Sequence, residues 1–337
     1  FSYANATWDD LIEILGSEAP QAGISDFDRL WVKQAGIGLD AYGIELMDSV
    51  RLDSLQNQLL KGGMTDVERF RAGMTLYENF LRGHLSADHF VRTMLEATTP
   101  ERNPLVATTL VGYAVSALPC VAEVEDGEQR LWTLARIHPL RDVRTSSLRS
   151  LSVAAKSPAV LDSVYVEWQR GDNPLLTQAD WMRAAYHLAQ YLPEKRAEIL
   201  ATQRARLTTD DERAELDYVS RGCDTTPTVQ DSLFASLLRA ENRRIEPWAA
   251  SLLSLLNDPI CEPQNNRFLV PALDALEDVQ RTGAIFFPGD WLYALLSGHH
   301  SEEARALVRQ WIAAHPGYPA PLMNKLKQNV YRLMVGR

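Results

Sequence analysis

Four times along this chain a small polar residue stands just ahead of apolar residues spaced three or four apart, the pattern of a capped amphipathic helix. Thr65 precedes Glu68 by three positions, a capping-box pattern, and Phe70, Met74, Tyr77 and Leu81 follow on one helical face. Thr177 stands before Trp181, Ala185, Leu188 and Leu192, and Thr209 with Glu212 before Leu216 and Val219. Ser301 opens the stripe Ala304, Leu307, Val308, Trp311 and Ile312, with Glu302 and Glu303 at the positive end of the dipole and Pro316 as the stop. Short polar breaks separate the stripes at 98–103, 171–174, 223–227, 257–266 and 298–301. Breaks this short make successive helices antiparallel neighbours. Helix pairs recurring about every 40 residues fit an all-α fold, a solenoid of HEAT- or armadillo-like antiparallel pairs. Composition agrees: 46 Leu and 38 Ala, both strong helix formers, are a quarter of the 337 residues.

The same composition narrows the function. The net charge of −10 argues against nucleic acid as a partner, because that binding needs a basic surface. The only membrane-like stretch, 104–122, carries Thr108, Thr109, Gly112, Ser116 and Pro119, and reads as a buried core helix, since a span needs about 20 strongly apolar residues. No membrane partner is expected. Cys120, Cys223 and Cys261 are dispersed and odd in number, so neither a disulfide framework nor a cysteine zinc site is expected, and a reducing, cytoplasmic compartment is favoured. The first residue is Phe1, without a basic and apolar leader, and the chain reads as a fragment.

No catalytic motif is present. His-Glu-x-x-His, G-x-S-x-G, the phosphate-cradling loop and the dinucleotide fingerprint are all missing, and Gly36, Gly38 and Gly43 have the wrong spacing. His84 and His89 would lie about 140° apart on a helix and so would not share a metal. His299 and His300 beside Glu302 and Glu303 read as loop or cap residues, and His138 and His315, each before a proline, as structural residues at helix ends. The tryptophans follow helical stripes or sit beside proline, which assigns them to core packing. No residue is assigned a catalytic, cofactor-binding or metal-binding role.

The run Gly283 to Leu333 resembles the C-terminal helical domain of aminopeptidase N-type zinc metallopeptidases. The resemblance rests on Phe287-Pro288, Trp291-Leu292, Leu295, Gly298-His299, Ser301, Glu303-Ala304, His315-Pro316, Tyr318 and the Lys325-x-x-Gln328 spacing. The helical hairpins at 198–222 and 231–259 are similar to the same family, as is the stretch 70–90 around Tyr77-Glu78-Asn79. Asn5-Ala6-Thr7-Trp8-Asp9-Asp10-Leu11, then Trp31-Val32 and Gly36, resemble the last helices of that family's catalytic domain. The resemblance implies two parts: 1–37, the helical tail of a catalytic domain, and 38–337, the helical-repeat domain. It also implies a parent hydrolase that removes N-terminal residues from peptides, with this part capping the cleft and limiting substrate length.

No position here matches the family's zinc ligands, amine-binding acids or catalytic tyrosine. Zinc is therefore expected only in a catalytic part absent from this chain, and the chain alone is not expected to be an enzyme. The expected partners are its own upstream catalytic domain and, in the parent, a peptide substrate. The family's β-sandwich between the two domains has no room after Ile37, being either absent from this lineage or removed from this chain. Detached from its domain, 1–37 is expected to expose Trp8, Leu11, Ile12 and Trp31. The alternative that composition alone allows is a free-standing α-solenoid scaffold for protein interaction.

Overall fold

The computed structural model describes residues 46–335 together with 13, 14, 16 and 17, so the expectations for 1–37 lie almost wholly outside the described residues. Seventeen α-helices run between residues 49 and 335, and no strand occurs among the described residues. The helical-repeat expectation holds. No helix among the described residues is long and apolar enough to cross a membrane.

After α1 (Ser49–Lys61), the chain alternates between two rows. The front row is α2 (Asp66–Leu81), α4 (Pro104–Ala117), α6 (Arg141–Ala154) and α8 (Gln178–Tyr191), each packed on the next. Behind it stack α3 (Ala87–Thr98), α5 (Val124–Ile137) and α7 (Pro158–Arg170), followed by α9 (Arg196–Arg206) against α8. Front-row helices begin 38, 37 and 37 residues apart. Leu76, Phe90, Leu110, Leu131, Leu151 and Trp168 are buried between the rows. Complete burial of such a side chain contributes about 1.5–3 kcal/mol, far more than the helix propensity of the same residue.

The caps read from sequence form as expected. Thr65 and Glu68, Thr177 and Asp180, and Thr209 and Glu212 each close reciprocal capping boxes, and the Ser301 hydroxyl accepts from the Ala304 N–H. Leu192 lies just past the end of α8 as its cap. The stretch 104–122 gives the 14-residue α4, whose Val106, Leu110, Val111 and Ala114 are buried. Of the tryptophans, Trp168, Trp181, Trp291 and Trp311 are core residues.

Beyond Arg206 the helices α10 (Asp210–Val219), α11 (Pro227–Leu237) and α12 (Glu246–Leu256) begin 17 and 19 residues apart, a spacing like that of successive helices before them, and the period fails only after α12. Next come α13 (Leu269–Asp274), α14 (Leu276–Thr282), α15 (Phe287–Leu296), α16 (Glu302–Ala314) and α17 (Ala320–Val335). Pro227, Pro247 and Pro288 each stand in the first turn of a helix, where a missing N–H costs nothing but no helix continues through from before. The break at 257–266, expected as a loop, folds into two 3₁₀ turns, Pro259–Cys261 and Gln264–Phe268. The front row nevertheless continues: α8 touches the turn Ser220–Cys223, which touches α12, then α15 and α17. A second hydrophobic cluster, from Leu233 to Leu333, fills this half.

Candidate functional site

The front row curves back on itself. Tyr331 of α17 reaches α2, 253 residues earlier, and its hydroxyl lies 3.5 Å from Glu78 Oε2. The Arg82 guanidinium stands 6.0 Å from the Tyr331 ring centre and is ion-paired with Glu78 at 2.7 Å. Between α2 and α4 on one side and α15 to α17 on the other lies a cavity of about 720 Å³. That size falls within the ~300–1,000 Å³ of small-ligand sites. Its apolar wall includes Phe80, Leu81, Val115, Leu296 and Leu333, with Tyr77, Tyr293 and Tyr331 adding rings. Ser116, Gln328 and Asn329 supply neutral polar groups; Arg305, His299 and His300 also line it, and among the described residues no Asp or Glu does.

His299 is 2% exposed and serves as a lock. Its Nδ1 is 2.9 Å from Asn266 Oδ1 and its Nε2 is 2.9 Å from Asn257 Oδ1. Both amides are oriented by their other ends: Asn257 Nδ2 donates to the Leu253 carbonyl and Asn266 Nδ2 to Glu303, each at 2.9 Å. Both ring nitrogens thus face amide oxygens. Glu262 lies 3.6 Å from Nδ1 and also accepts the backbone N–H groups of His300 and Ser301 at the start of α16. Burial pushes the Glu262 carboxyl up, but the bonds from His299, Ser301 and His300 outweigh burial and hold it at about 2. The Gly298 backbone passes so close to the Asn257 carbonyl that a Cβ would sit 1.8 Å from its oxygen, so only glycine fits there.

His138 and His315 are structural. His138 is buried, with Nε2 3.1 Å from the Thr98 carbonyl and Nδ1 accepting from Leu140 N–H at 3.2 Å. His315 caps α16 with Nδ1 2.7 Å from the Trp311 carbonyl. His84 and His89 do not share a helix, as their spacing argument assumed: His84 lies in the turn after α2, and His89 in the first turn of α3. Burial disfavours charge on His300, pushing its pKa down. The donors within reach of His299 are therefore taken, and among the described residues no group of three or more His, Cys, Asp or Glu is placed to hold a metal ion. These residues do not fit a zinc site. The cysteines are free thiols: Cys223 and Cys261 are buried, and burial pushes Cys223 up to about 12. Cys120 is half-buried on the cavity wall, where burial also raises its pKa against the positive charges of Arg305 and Lys156.

Most residues behind the family resemblance serve the fold. Phe287, Trp291, Leu292, Leu295 and Ala304 are buried, Lys325 Nζ donates to the Ile285 carbonyl at 2.7 Å, and the Tyr318 ring packs edge-on against Trp311. Gln328, His299 and Tyr77 also stand on the cavity wall. Sequence reading missed Tyr331, Glu262, Asn257 and Asn266. Glu262 meets its partners 38 and 39 residues away, and its only local signal is the density of Asn and Asp in the 257–266 break. No known protein family and no curated protein matches this chain.

Proposed function

We propose that this chain is the C-terminal helical part of a zinc aminopeptidase, which covers the peptide cleft of a catalytic domain lying outside it and limits the length of substrate admitted. One observation carries most of the support. The segments that resemble the family, 70–90 and 283–333, stand far apart in sequence yet form opposite walls of one cavity, with Tyr77 and Leu81 facing the side of Tyr293, Gln328 and Tyr331. A two-row helical array also suits the role, since it offers a large preformed surface on a rigid scaffold. In the parent, zinc would polarise the scissile carbonyl and activate water. This chain's own residues would exclude bulk solvent and position peptide, and none of them would move a proton in the reaction.

The test uses the native product, captured from its source cells with antibody raised against the 337-residue chain. The expected product is well above 37.8 kDa, hydrolyses an aminoacyl fluorogenic substrate and loses that activity to a chelator. The isolated chain should show neither turnover nor stoichiometric zinc. A native product of 37.8 kDa without peptidase activity would overturn the proposal in favour of a free-standing scaffold.

A further inference from the structure

Gly112 sits in the interior of α4, where glycine weakens a helix relative to any ordinary residue. Two other helical glycines have a packing reason. A Cβ on Gly73 would lie 2.6 Å from Leu110 Cδ2, and one on Gly127 would lie 2.8 Å from Leu118 Cδ2. A Cβ on Gly112 would meet nothing within 4 Å. Gly289 is equally open, but it stands in the first turn of α15. The space in front of Gly112 is the cavity.

Charge gives the second half of the argument. The chain has 44 acidic residues and a net charge of −10, yet among the described residues no carboxylate lines this cavity. Arg305 does, held in place by bonds from Nε to the Leu333 carbonyl at 2.8 Å and from NH2 to the His300 carbonyl at 2.9 Å, with Glu302 on NH1. Lys156, on the adjoining wall beside Val115 and Pro119, acts with Arg305 on the Cys120 thiol. The carboxylates nearest these cations, Glu302 on Arg305 and Glu128 and Asp258 on the wall with Lys156, lie off the cavity itself, so an anion inside it would meet a pre-positioned guanidinium.

We propose that the cavity is a binding site for a small amphipathic carboxylate, its apolar body lying over the Gly112 backbone against Phe80, Leu81 and Leu296, and its anionic group directed to Arg305. The site stands or falls independently of the peptidase reading.

Three ligands of one shape test it: 6-phenylhexanoate, its primary amide, and 6-phenylhexylamine, each titrated calorimetrically into the 337-residue chain. The carboxylate is expected to bind at least about five-fold tighter than the amide, and the amine more weakly still, as a charge-assisted bond requires. The carboxylate should also slow alkylation of Cys120 by N-ethylmaleimide, which places it in this cavity. Gly112→Leu fills the space with a better helix former, so it should melt no lower than the parent while losing affinity at least about ten-fold. Equal binding of all three ligands, carboxylate binding without protection of Cys120, or unchanged binding by Gly112→Leu would each overturn the proposal. Cys120 protection is read on the unsubstituted chain, so the test holds even if the variant folds poorly.

Discussion

In the first half of the molecule, front-row helices of 14 to 16 residues start 37 or 38 residues apart; in the second half, helices of 6, 7, 10 and 11 residues and several 3₁₀ turns precede the 13-residue α16 and the 16-residue α17. Both halves seat a carboxylate on the N-terminus of a helix, buried in the first half and partly buried in the second, where orphan N–H groups and the dipole favour it. Glu101 accepts from Arg102 and Asn103 ahead of α4, and Glu128 from Lys156 and Ser157 ahead of α7. Glu262 does the same ahead of α16, but it adds the buried His299 and two asparagines. Long helices align through their own apolar stripes, so a cap only trims the join. The short helices α13 and α14 offer few stripe residues each, and a directional polar network fixes the 3₁₀ turns leading into them against the start of α16.

The sharpest way to break that contrast is to remove one carboxylate from each half. Glu262→Ala would leave the His300 and Ser301 N–H groups without their acceptor and take the carboxylate away from His299, an expected loss of about 2–5 kcal/mol. Glu101 is ion-paired with Arg69 at 2.5 Å, but Arg69 also holds Asp66 at 2.7 Å and is partly exposed. Glu101→Ala should therefore cost less, about 1–3 kcal/mol. Urea denaturation gives the totals, and hydrogen exchange should show α16 opening first in the Glu262 variant. A larger loss from Glu101→Ala would contradict the idea that polar fixing matters more in the second half.

Acid probes the same difference without substitution. Burial opposes ionisation of Asp180, but bonds from Thr177, Arg183 and Arg149 outweigh it and hold its carboxyl at about 2, as Glu262 is held. A carboxylate with a depressed folded pKa contributes stability that is complete above its unfolded value and is lost as pH falls through the folded one. Each group should therefore contribute on the order of 2–3 kcal/mol at neutral pH, lost between roughly pH 5 and 2. Asp180→Asn and Glu262→Gln should each flatten that decline when melting is followed against pH. A decline of unchanged slope in both variants would mean that other carboxylates carry it.

Legibility in the sequence follows the same divide. The Thr65, Thr177, Thr209 and Ser301 caps bond within three residues, so local pattern alone reveals them. The stripe Phe70, Met74, Tyr77 and Leu81 was equally plain, because helix period repeats within a window. The cavity was not legible. It depends on Tyr331 meeting Glu78 across 253 residues, and no periodicity spans that distance. The roles of His138 and His315 could be read from the prolines beside them, whereas the role of His299 depends on asparagines 33 and 42 residues away.

The smallest effects separate two glycines on facing helices of the regular half. Gly73 in α2 lets the Leu110 side chain of α4 approach its backbone, so Gly73→Ala must push Leu110 Cδ2 aside from 2.6 Å. Overpacking of this kind costs about 1–3 kcal/mol. Gly112 lies half a turn further along α4 and faces open space, so Gly112→Ala brings only the helix-propensity gain, about 0.5–1 kcal/mol. The two substitutions are chemically identical and differ only in what lies beyond the new methyl group. Thermal melts should therefore move in opposite directions, down for Gly73→Ala and up for Gly112→Ala. If Gly112→Ala also lowered the melt, the α4 surface would be closed against another element, and the cavity would not extend to its backbone.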